Sequence, residues 1–326
     1  MAGFRGHERP ADDGSTATVN SGRDRPAARK SGPHHDTEDR LTTRCSGLEC
    51  RQSVQSRPKD DDRSGGNVAD VLLLAAGSLL DCDPISLLRC AAGAGFDGVG
   101  LRLSHDRSAS AHELLEIRRC ADDLGLCIHD VEVHRIGEGV DSAALLEACS
   151  VVGASKLLTV SDLASTSETT THLHVLCAAA ASVGVRVGLE YMAWTNPNNP
   201  VDALSMATET GCTIVVDVLH HSRVGAGPPE LQGIVDANAL GWLQLCDAPT
   251  ARPPGGQAEL LHEARHERVA PGDGGLALTN LLRILPPGVT ISVEVQSDAL
   301  LRHFAPDKRA KKLAEAARRV LDQAVS

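Results

Sequence analysis

Four oxygen-bearing side chains stand at or near the ends of short apolar runs. Glu190 follows VRVGL, Asp217 follows TIVV, Gln244 lies in GWLQL and Glu294 follows TISV. A carboxylate behind a buried run is too costly to leave unpaired, so any one of them could cap a helix or pair with an arginine. Three carboxylates that converge would repel one another unless a cation lay among them. Carboxylate and amide oxygens suit a hard divalent ion, so the set predicts a Mn²⁺ or Mg²⁺ site.

The elements that must position these residues alternate between β-rich runs and helical patterns. Eight β-rich runs recur at nearly constant intervals, the last interval being longer, and they begin near Val71, Asp97, Leu126, Lys156, Val185, Thr213, Gly241 and Thr290. Eight strands with intervening helices match the α/β class and a (β/α)8 barrel of ~250 residues, in which chemistry sits at the carboxyl ends of the strands. We therefore predict a (β/α)8 TIM barrel over residues 68–326.

A doubly wound open sheet would show the same alternation of strands and helices. Such a sheet usually carries a glycine-rich phosphate turn, G-x-G-x-x-G, after its first strand. The first run here continues as LLLAAGSLLD, which lacks that pattern. The barrel is the favoured architecture.

Residues 1–67 have a different composition from the rest of the chain. They contain five residues of the types Leu, Ile, Val and Phe, against 24 of the types Gly, Pro, Ser and Thr. Such a segment cannot bury enough apolar area to offset its chain entropy. We predict that residues 1–67 form a disordered, low-complexity tail before the barrel.

Charge and hydropathy exclude several classes of partner. The net charge is −11, and residues 68–326 carry 20 basic and 32 acidic side chains, which argues against a nucleic-acid partner. No apolar run reaches the roughly 18 residues of a membrane span, and the first residues lack a secretory signal. The ten cysteines include no C-x-x-C pair, so no zinc ribbon or redox motif is indicated. We expect a cytoplasmic protein without a membrane partner, and homo-oligomerisation is left open.

Five segments in order resemble a known family. VGLEYM, VVDVLHH, LQLCDAP, HERVAPGDGGL and TISVEV are similar to segments of the sugar phosphate isomerase/epimerase family, whose fold is a xylose-isomerase-like TIM barrel. The resemblance covers residues 70–322. It implies one divalent metal held by Glu190, Asp217, Gln244 and Glu294. Gln244 stands where the family has a histidine, and this amide makes Zn²⁺ a poorer choice than Mn²⁺ or Mg²⁺.

The resemblance also implies residues that hold a small, sugar-like substrate. His220 belongs to the D-x-x-H element that binds substrate oxygens, although its neighbour His221 could take that role. Arg268 matches an arginine that contacts substrate from the loop after the seventh strand. Glu132, at the end of the third run, is expected to bind substrate or to orient a metal ligand. Trp194 could form an apolar wall of the pocket or pack in the core.

The activity implied is a metal-dependent isomerase or epimerase. It would act on a sugar or a sugar-derived polyhydroxy carbonyl compound through an enediolate, with Glu190 and Glu294 as acid and base. The same barrel could instead run a metal-dependent dehydratase of a cyclic polyol ketone, or it could be a non-catalytic sugar-binding barrel.

Two further motifs lie in the long segment before the last strand. HEARH at 262–266 fits the H-E-x-x-H zinc-peptidase pattern, but Pro271 and Gly272 follow closely and no G-x-x-H comes after it. A peptidase site is therefore not favoured. The GDGG turn at 272–275 could present backbone N–H groups to a substrate phosphate, or it could serve as a hinge.

Overall fold

A computed structural model of the protein describes residues 69–103, 109–137 and 142–326. The segment predicted to be a disordered tail, residues 1–67, lies outside the described residues. None of the helices in the described ranges is long and apolar enough to cross a lipid bilayer.

Eight parallel strands close into one barrel, in which each strand pairs with the next along the chain and β1 pairs with β8. The strands are β1 Ala69–Leu74, β2 Gly98–Arg102, β3 Cys127–Ile136, β4 Lys156–Ser161, β5 Arg186–Glu190, β6 Thr213–Asp217, β7 Leu240–Leu245 and β8 Val289–Val293. The predicted (β/α)8 TIM barrel is confirmed, and each strand begins within two residues of its predicted start.

Helices cover the outside of the barrel between successive strands. They are α1 Pro84–Ala94, α2 Ala111–Leu124, α3 Ser142–Val152, α4 Thr166–Ser182, α5 Pro200–Thr210, α6 Val218–Arg223, α7 Pro228–Asp236, α8 Gln257–His266, α9 Leu278–Leu282, α10 Asp298–His303 and α11 Pro306–Val325. Side-chain caps start several of them. Ser110, for example, accepts a hydrogen bond from the Glu113 amide while the Glu113 carboxylate accepts from the Ser110 amide. This reciprocal capping satisfies two amides that have no partner within the helix.

Two apolar layers hold the elements together. Outward-facing strand residues such as Leu72 and Ile214 pack with the helices in one large cluster. A smaller cluster of Leu158, Val160, Met192, Val215 and Trp242 lies apart from it. Trp242 is fully buried, and its ring approaches Gly188 so closely that a Cβ there would clash. Glycine is therefore needed on β5 so that the indole can pack there.

The sequence patterns missed four of the helices. The short α6 begins directly after Asp217 and carries His220 and His221. The long interval before β8 contains α8 and α9, and α10 follows β8. These helices have few turns, so their apolar periodicity is too short to be read from the sequence.

Candidate functional site

The carboxyl ends of the strands open into a cavity of about 860 Å³. Its lining includes six of the residues singled out from the sequence as ligands or substrate contacts: Glu132, Glu190, His220, Gln244, Arg268 and Glu294. Asp217 lies in the wall beneath this lining, where its side chain contacts Arg268. His221 is buried and is bound instead to the Tyr191 hydroxyl and to the Gly227 carbonyl. His220 is therefore the member of the histidine pair that faces the cavity.

A buried ion pair between Asp217 and Arg268 lies at the centre of the site. The Arg268 Nη1 atom is 2.5 Å from Asp217 Oδ2, and both side chains are almost fully buried. The other Asp217 oxygen, Oδ1, accepts hydrogen bonds from the Leu219 and His220 amides at 2.8 and 3.0 Å and so caps α6. Arg268 is fixed further because its Nε donates to the Ala264 carbonyl oxygen at 2.8 Å.

Glu190 and Glu294 lie near this pair, Glu190 beside His220 and Glu294 beside Arg268. His220 Nε2 is 3.9 Å from Glu190 Oε1 and 3.3 Å from Arg268 Nη2. Arg268 Nη1 is in turn 3.5 Å from Glu294 Oε2. The sequence predicted that Arg268 would contact substrate. In the structure its guanidinium lies among the carboxylates, and its contact with substrate stays a prediction.

The contact with Arg268 fixes the protonation of His220. A guanidinium can only donate hydrogen bonds, so His220 Nε2 must accept and the ring proton must sit on Nδ1. Burial lowers the pKa of His220 to about 4, which keeps the imidazole neutral. Its buried Nδ1 has no hydrogen-bond partner among the described residues.

The carboxylates hold more negative charge than Arg268 can balance. Burial raises the pKa of Glu190 well above its usual value, and the charges of Asp217 and Glu294 raise it further. Burial also raises the pKa of Glu294, although Arg268 opposes this. For Asp217 burial is the largest single effect and raises the pKa, but the electrostatic effects of Arg268 and His220 and the hydrogen bonds from Arg268 and the His220 amide together lower it below its usual value. Both glutamates are therefore harder to ionise than a solvated carboxyl, and further positive charge in the site would favour their charged forms.

The donor set fits a divalent cation. Ligand atoms of Glu190, Asp217 and His220 lie within 4.8 Å of one another and are all buried. Gln244 lies in register with Asp217 on the adjacent strand, and its buried Oε1 atom has no hydrogen-bond partner. An unpaired buried acceptor beside excess negative charge is the feature that a cation would satisfy. His220 Nε2 already accepts from Arg268, and Asp217 Oδ2 is paired with the same guanidinium. That Glu190, Asp217, Gln244 and Glu294 together hold the ion stays a prediction.

Glu132 lies at the same mouth, on β3. Its Oε2 atom is 3.4 Å from Arg102, and its side chain is 1% exposed. Burial raises the pKa of Glu132 to about 8, despite the opposing charge of Arg102. The sequence predicted that Glu132 would bind substrate or orient a ligand. Its position in the cavity lining allows a substrate contact.

The sequence analysis left much of the cavity lining without a role. The apolar residues without a predicted role are Val133, Leu158, Val160 and Met192, whereas Trp194 was predicted either as an apolar wall or as a core residue and does line the cavity. Trp194 also packs edge-on against the His220 ring, with the ring centroids 5.1 Å apart. These residues lie on or just after strands β3, β4 and β5. The alternation of inward-facing and outward-facing side chains along these strands was the sequence signal that could have identified them.

Three basic residues of the lining were also missed as site residues. Arg102 ends β2, Arg135 lies near the end of β3, and Arg265 lies on α8. Arg102 was visible in the sequence as a polar strand end. Arg135 was not, because β3 continues to Ile136, beyond the strand end at Glu132 that was read from the sequence.

The HEARH segment does not form a metal site. Glu263 is buried in a bidentate pair with Arg223, with both N–O distances at 2.7 Å. His262 and His266 stack on each other at the helix surface, with ring centroids 4.9 Å apart. Glu263 is therefore engaged in a structural ion pair and is not positioned to act with the two histidines. The segment does not form the zinc site of a peptidase.

The GDGG turn does not offer its amides to a ligand. The buried Asp247 carboxylate accepts hydrogen bonds from the Gly272, Gly274 and Leu276 amides at 3.0–3.1 Å. The suggested phosphate site at this turn is therefore already filled by a side chain of the protein.

Comparison with known proteins identifies the family. The sequence profile described as xylose isomerase-like TIM barrel matches residues 88–323. The chain therefore belongs to the xylose isomerase-like TIM barrel family, as the resemblance in sequence implied. No protein of curated function matches the chain significantly.

Several solved structures share the fold. A xylose isomerase-like TIM barrel/4-hydroxyphenylpyruvate dioxygenase fusion protein is 20% identical, with a TM-score of 0.66 over 78% of this chain, which spans 43% of the fusion protein. The IolI protein with a bound zinc atom is 16% identical (TM-score 0.65; 78% of this chain, 98% of IolI). A D-allulose 3-epimerase from Methylomonas sp. is 14% identical (TM-score 0.56; 77% and 97%). At these identities the similarity establishes the fold.

Removing the central guanidinium should destabilise the protein. In Arg268→Gln, Asp217 loses its charge partner while it remains buried, and we expect the free energy of unfolding to fall by about 3–5 kcal/mol. Urea denaturation at neutral pH measures this. Arg302→Gln, an exposed helix residue paired weakly with Asp298, is the matched control and should change stability by less than about 0.5 kcal/mol. Equal stabilities of Arg268→Gln and the wild type would contradict a central role for this pair.

The raised pKa of Glu132 predicts a pH dependence of stability. A carboxyl whose pKa is about 8 when folded, against about 4.5 when unfolded, keeps a proton that the unfolded chain releases. Stability of the metal-free protein should therefore fall as pH rises from about 5 to 8. Urea unfolding across that range should show a shallower decline for Glu132→Gln, which mimics the protonated side chain. Parallel curves for the two proteins would contradict this assignment.

Proposed function

We propose that this protein is a divalent-metal-dependent isomerase or epimerase of a sugar or a sugar-derived polyhydroxy carbonyl compound. The observation that carries the proposal is that two buried carboxyls, one beside His220 and one beside Arg268, line the same cavity. Glu190 ends β5 and Glu294 follows β8, and they flank His220 and Arg268 at 3.9 and 3.5 Å. A substrate carbon held between them would face a carboxyl on each side.

This arrangement suits proton transfer next to a carbonyl group. One carboxylate removes the proton from the carbon beside the carbonyl, which gives an enediolate, and the other carboxyl returns a proton to the opposite face. The product is then the epimer, and no atoms are gained or lost. Return of the proton to the neighbouring carbon would instead give the isomer. The raised pKa values of Glu190 and Glu294 suit groups that must both accept and donate a proton.

Other residues of the site would hold the substrate in place. The neutral His220 lines the cavity with its Nε2 edge beside Glu190 and Arg268, where the ring can contact a substrate. The guanidinium of Arg268, held by Asp217, keeps positive charge beside the carbon that reacts. When bound by Glu190, Asp217, Gln244 and Glu294, a divalent cation would polarise the substrate carbonyl and stabilise the charge that develops.

The descriptions of two structural neighbours support the proposed class of enzyme. One is a D-allulose 3-epimerase, and the other, IolI, carries a zinc atom. They support an enzyme of this kind and a divalent metal. The oxygen-rich donor set, with Gln244 in place of a histidine, favours Mn²⁺ or Mg²⁺ over Zn²⁺.

A second candidate, a dehydratase of a cyclic polyol ketone, is favoured by the apolar side of the cavity. Val133, Leu158, Val160, Met192 and Trp194 give a wall that suits the C–H face of a carbocyclic ring better than the hydroxyls of an open-chain sugar. Loss of a β-hydroxyl as water from the same enediolate would complete this reaction. The neighbour fused to a 4-hydroxyphenylpyruvate dioxygenase places a similar barrel beside a domain named for a ring compound.

Proton exchange with solvent tests the acid and base roles. Purified protein with Mn²⁺ should exchange the hydrogen beside the carbonyl of its substrate in D₂O, followed by NMR over a panel of ketoses, inososes and dehydroshikimate-type compounds. Glu190→Gln and Glu294→Gln should each lower the exchange rate by at least about 100-fold, because proton transfer by a positioned side chain contributes about that much or more. An exchange rate that either substitution leaves unchanged would refute that residue's role.

The same samples separate the candidate functions. A product of unchanged mass supports isomerisation or epimerisation, and loss of one water molecule supports the dehydratase. A folded protein that neither exchanges nor converts any member of the panel, and gains no thermal stability from Mn²⁺, would favour a non-catalytic sugar-binding barrel.

The identity of residue 244 should set the choice of metal. We expect Mn²⁺ to raise the melting temperature of EDTA-treated wild type more than Zn²⁺ does, since bound ligand stabilises the folded state. Gln244→His replaces an amide oxygen with an imidazole nitrogen and should raise the Zn²⁺ affinity by about tenfold or more, measured by calorimetry. Identical Zn²⁺ affinities in the two proteins would mean that Gln244 does not contact the metal.

A further inference from the structure

The cavity carries positive charge at its rim as well as negative charge at its floor. Arg102, Arg135 and Arg265 line it in addition to Arg268. Residues 68–326 contain 20 basic against 32 acidic residues, whereas the lining has four arginines beside three acidic residues, Glu132, Glu190 and Glu294, so the cavity is richer in basic residues than the rest of the barrel. A site that bound only a neutral polyol would have no need for the three outer arginines.

Arg102 is a partly buried arginine with several N–H donors that no protein group is shown to accept. Its side chain is 38% exposed, and its ion pair with Glu132 is a single contact at 3.4 Å. A guanidinium has five N–H donors, so most of those of Arg102 are left for solvent or a ligand. Arg102 also borders a smaller cavity of about 100 Å³ lined mainly by Leu79, Leu80, Leu87 and Leu101. This apolar side limits the water around the guanidinium and strengthens its attraction for an anion.

The two other arginines frame the same rim. Arg135 is held in place by Asp162, with N–O distances of 2.8 and 2.5 Å. Arg265 is exposed on α8, and no ion pair joins it to a residue within the described ranges. Their contribution is electrostatic, whereas Arg102 is placed for direct contact.

Arg102 lies across the barrel from one of the predicted metal ligands, Asp217. In the closed ring of eight strands, β2 is opposite β6, whose last residue is Asp217. A substrate with its reacting carbonyl group near Asp217 and Glu190 would extend its other end toward Arg102. The backbone amides of the GDGG turn cannot bind an anion instead, because Asp247 already occupies them.

From this arrangement we propose that the substrate carries an anionic group, a carboxylate or a phosphate, at the end remote from its reacting carbon, and that Arg102 binds this group. The inference rests on the proposed function, because it requires the substrate to bind in the same cavity. It narrows the substrate class to sugar acids, cyclic hydroxy acids or sugar phosphates.

Binding of matched probes tests the proposal without requiring turnover. Full-length protein with Mn²⁺ is titrated by calorimetry with D-ribulose 5-phosphate against D-ribulose, and with 2-keto-D-gluconate against D-fructose. We expect the charged member of at least one pair to bind at least about tenfold more tightly, and this preference to fall about tenfold in Arg102→Gln. Preference within the first pair alone identifies phosphate, and within the second alone carboxylate. Arg102→Lys, which keeps the charge, should retain part of the preference.

The control is Arg119→Gln, an exposed arginine on α2 outside the cavity, which should leave the preference unchanged. Equal affinities for charged and neutral probes in the wild type, or an undiminished preference in folded Arg102→Gln, would overturn the proposal.

Glu190→Gln separates the anion proposal from the proposed function, since this variant should lose proton exchange but keep the anion preference. A protein that shows the preference yet never exchanges a substrate proton would count against the proposed function alone.

Discussion

The structure depends on the neutralisation of buried carboxylates at the mouth of the barrel. Parallel strands bring the ends of β5, β6 and β8 together, and each carries or is followed by an acidic residue. Asp217 is stable as an anion there because the guanidinium of Arg268 and two helix amides contact it. Glu294 is 3.5 Å from that guanidinium, and Glu190 is linked to it only through His220. Neither glutamate is therefore fully balanced by positive charge. This deficit raises the pKa values of both glutamates and favours the entry of a cation.

The position of Arg268 links this balance to the fold outside the barrel. The residue follows α8 and reaches the carboxylates while its Nε binds the Ala264 carbonyl in the last turn of that helix. The helix itself is tied to α6 by the buried pair of Arg223 and Glu263. Two buried ion pairs therefore fasten the long segment after β7 across the site. A buried pair contributes little net stability, but loss of one partner leaves a charge without compensation, so such pairs fix geometry effectively.

The sequence was sufficient to predict the barrel and the residues at its strand ends. Strand periodicity is local, and once the strands are parallel and closed, Glu190, Asp217, Gln244 and Glu294 must face one mouth. The role of Arg268 within the carboxylates could not be predicted in the same way, because the course of a long segment depends on contacts made across the whole fold. The GDGG turn illustrates the same limit. Its glycines predict exposed amides, but only the structure places Asp247 against them.

The two ends of the cavity place different demands on a ligand. The carboxylate end attracts a cation, which would in turn bind a carbonyl oxygen, and the arginine end at β2 and β3 attracts an anion. Between them lie Leu158, Val160, Met192 and Trp194, which offer contacts but few hydrogen bonds. A small neutral sugar would satisfy the first end and leave the second hydrated. A molecule with a carbonyl group at one end, an acidic group at the other and an apolar face between them would satisfy all three, and this combination is more demanding than the metal site alone.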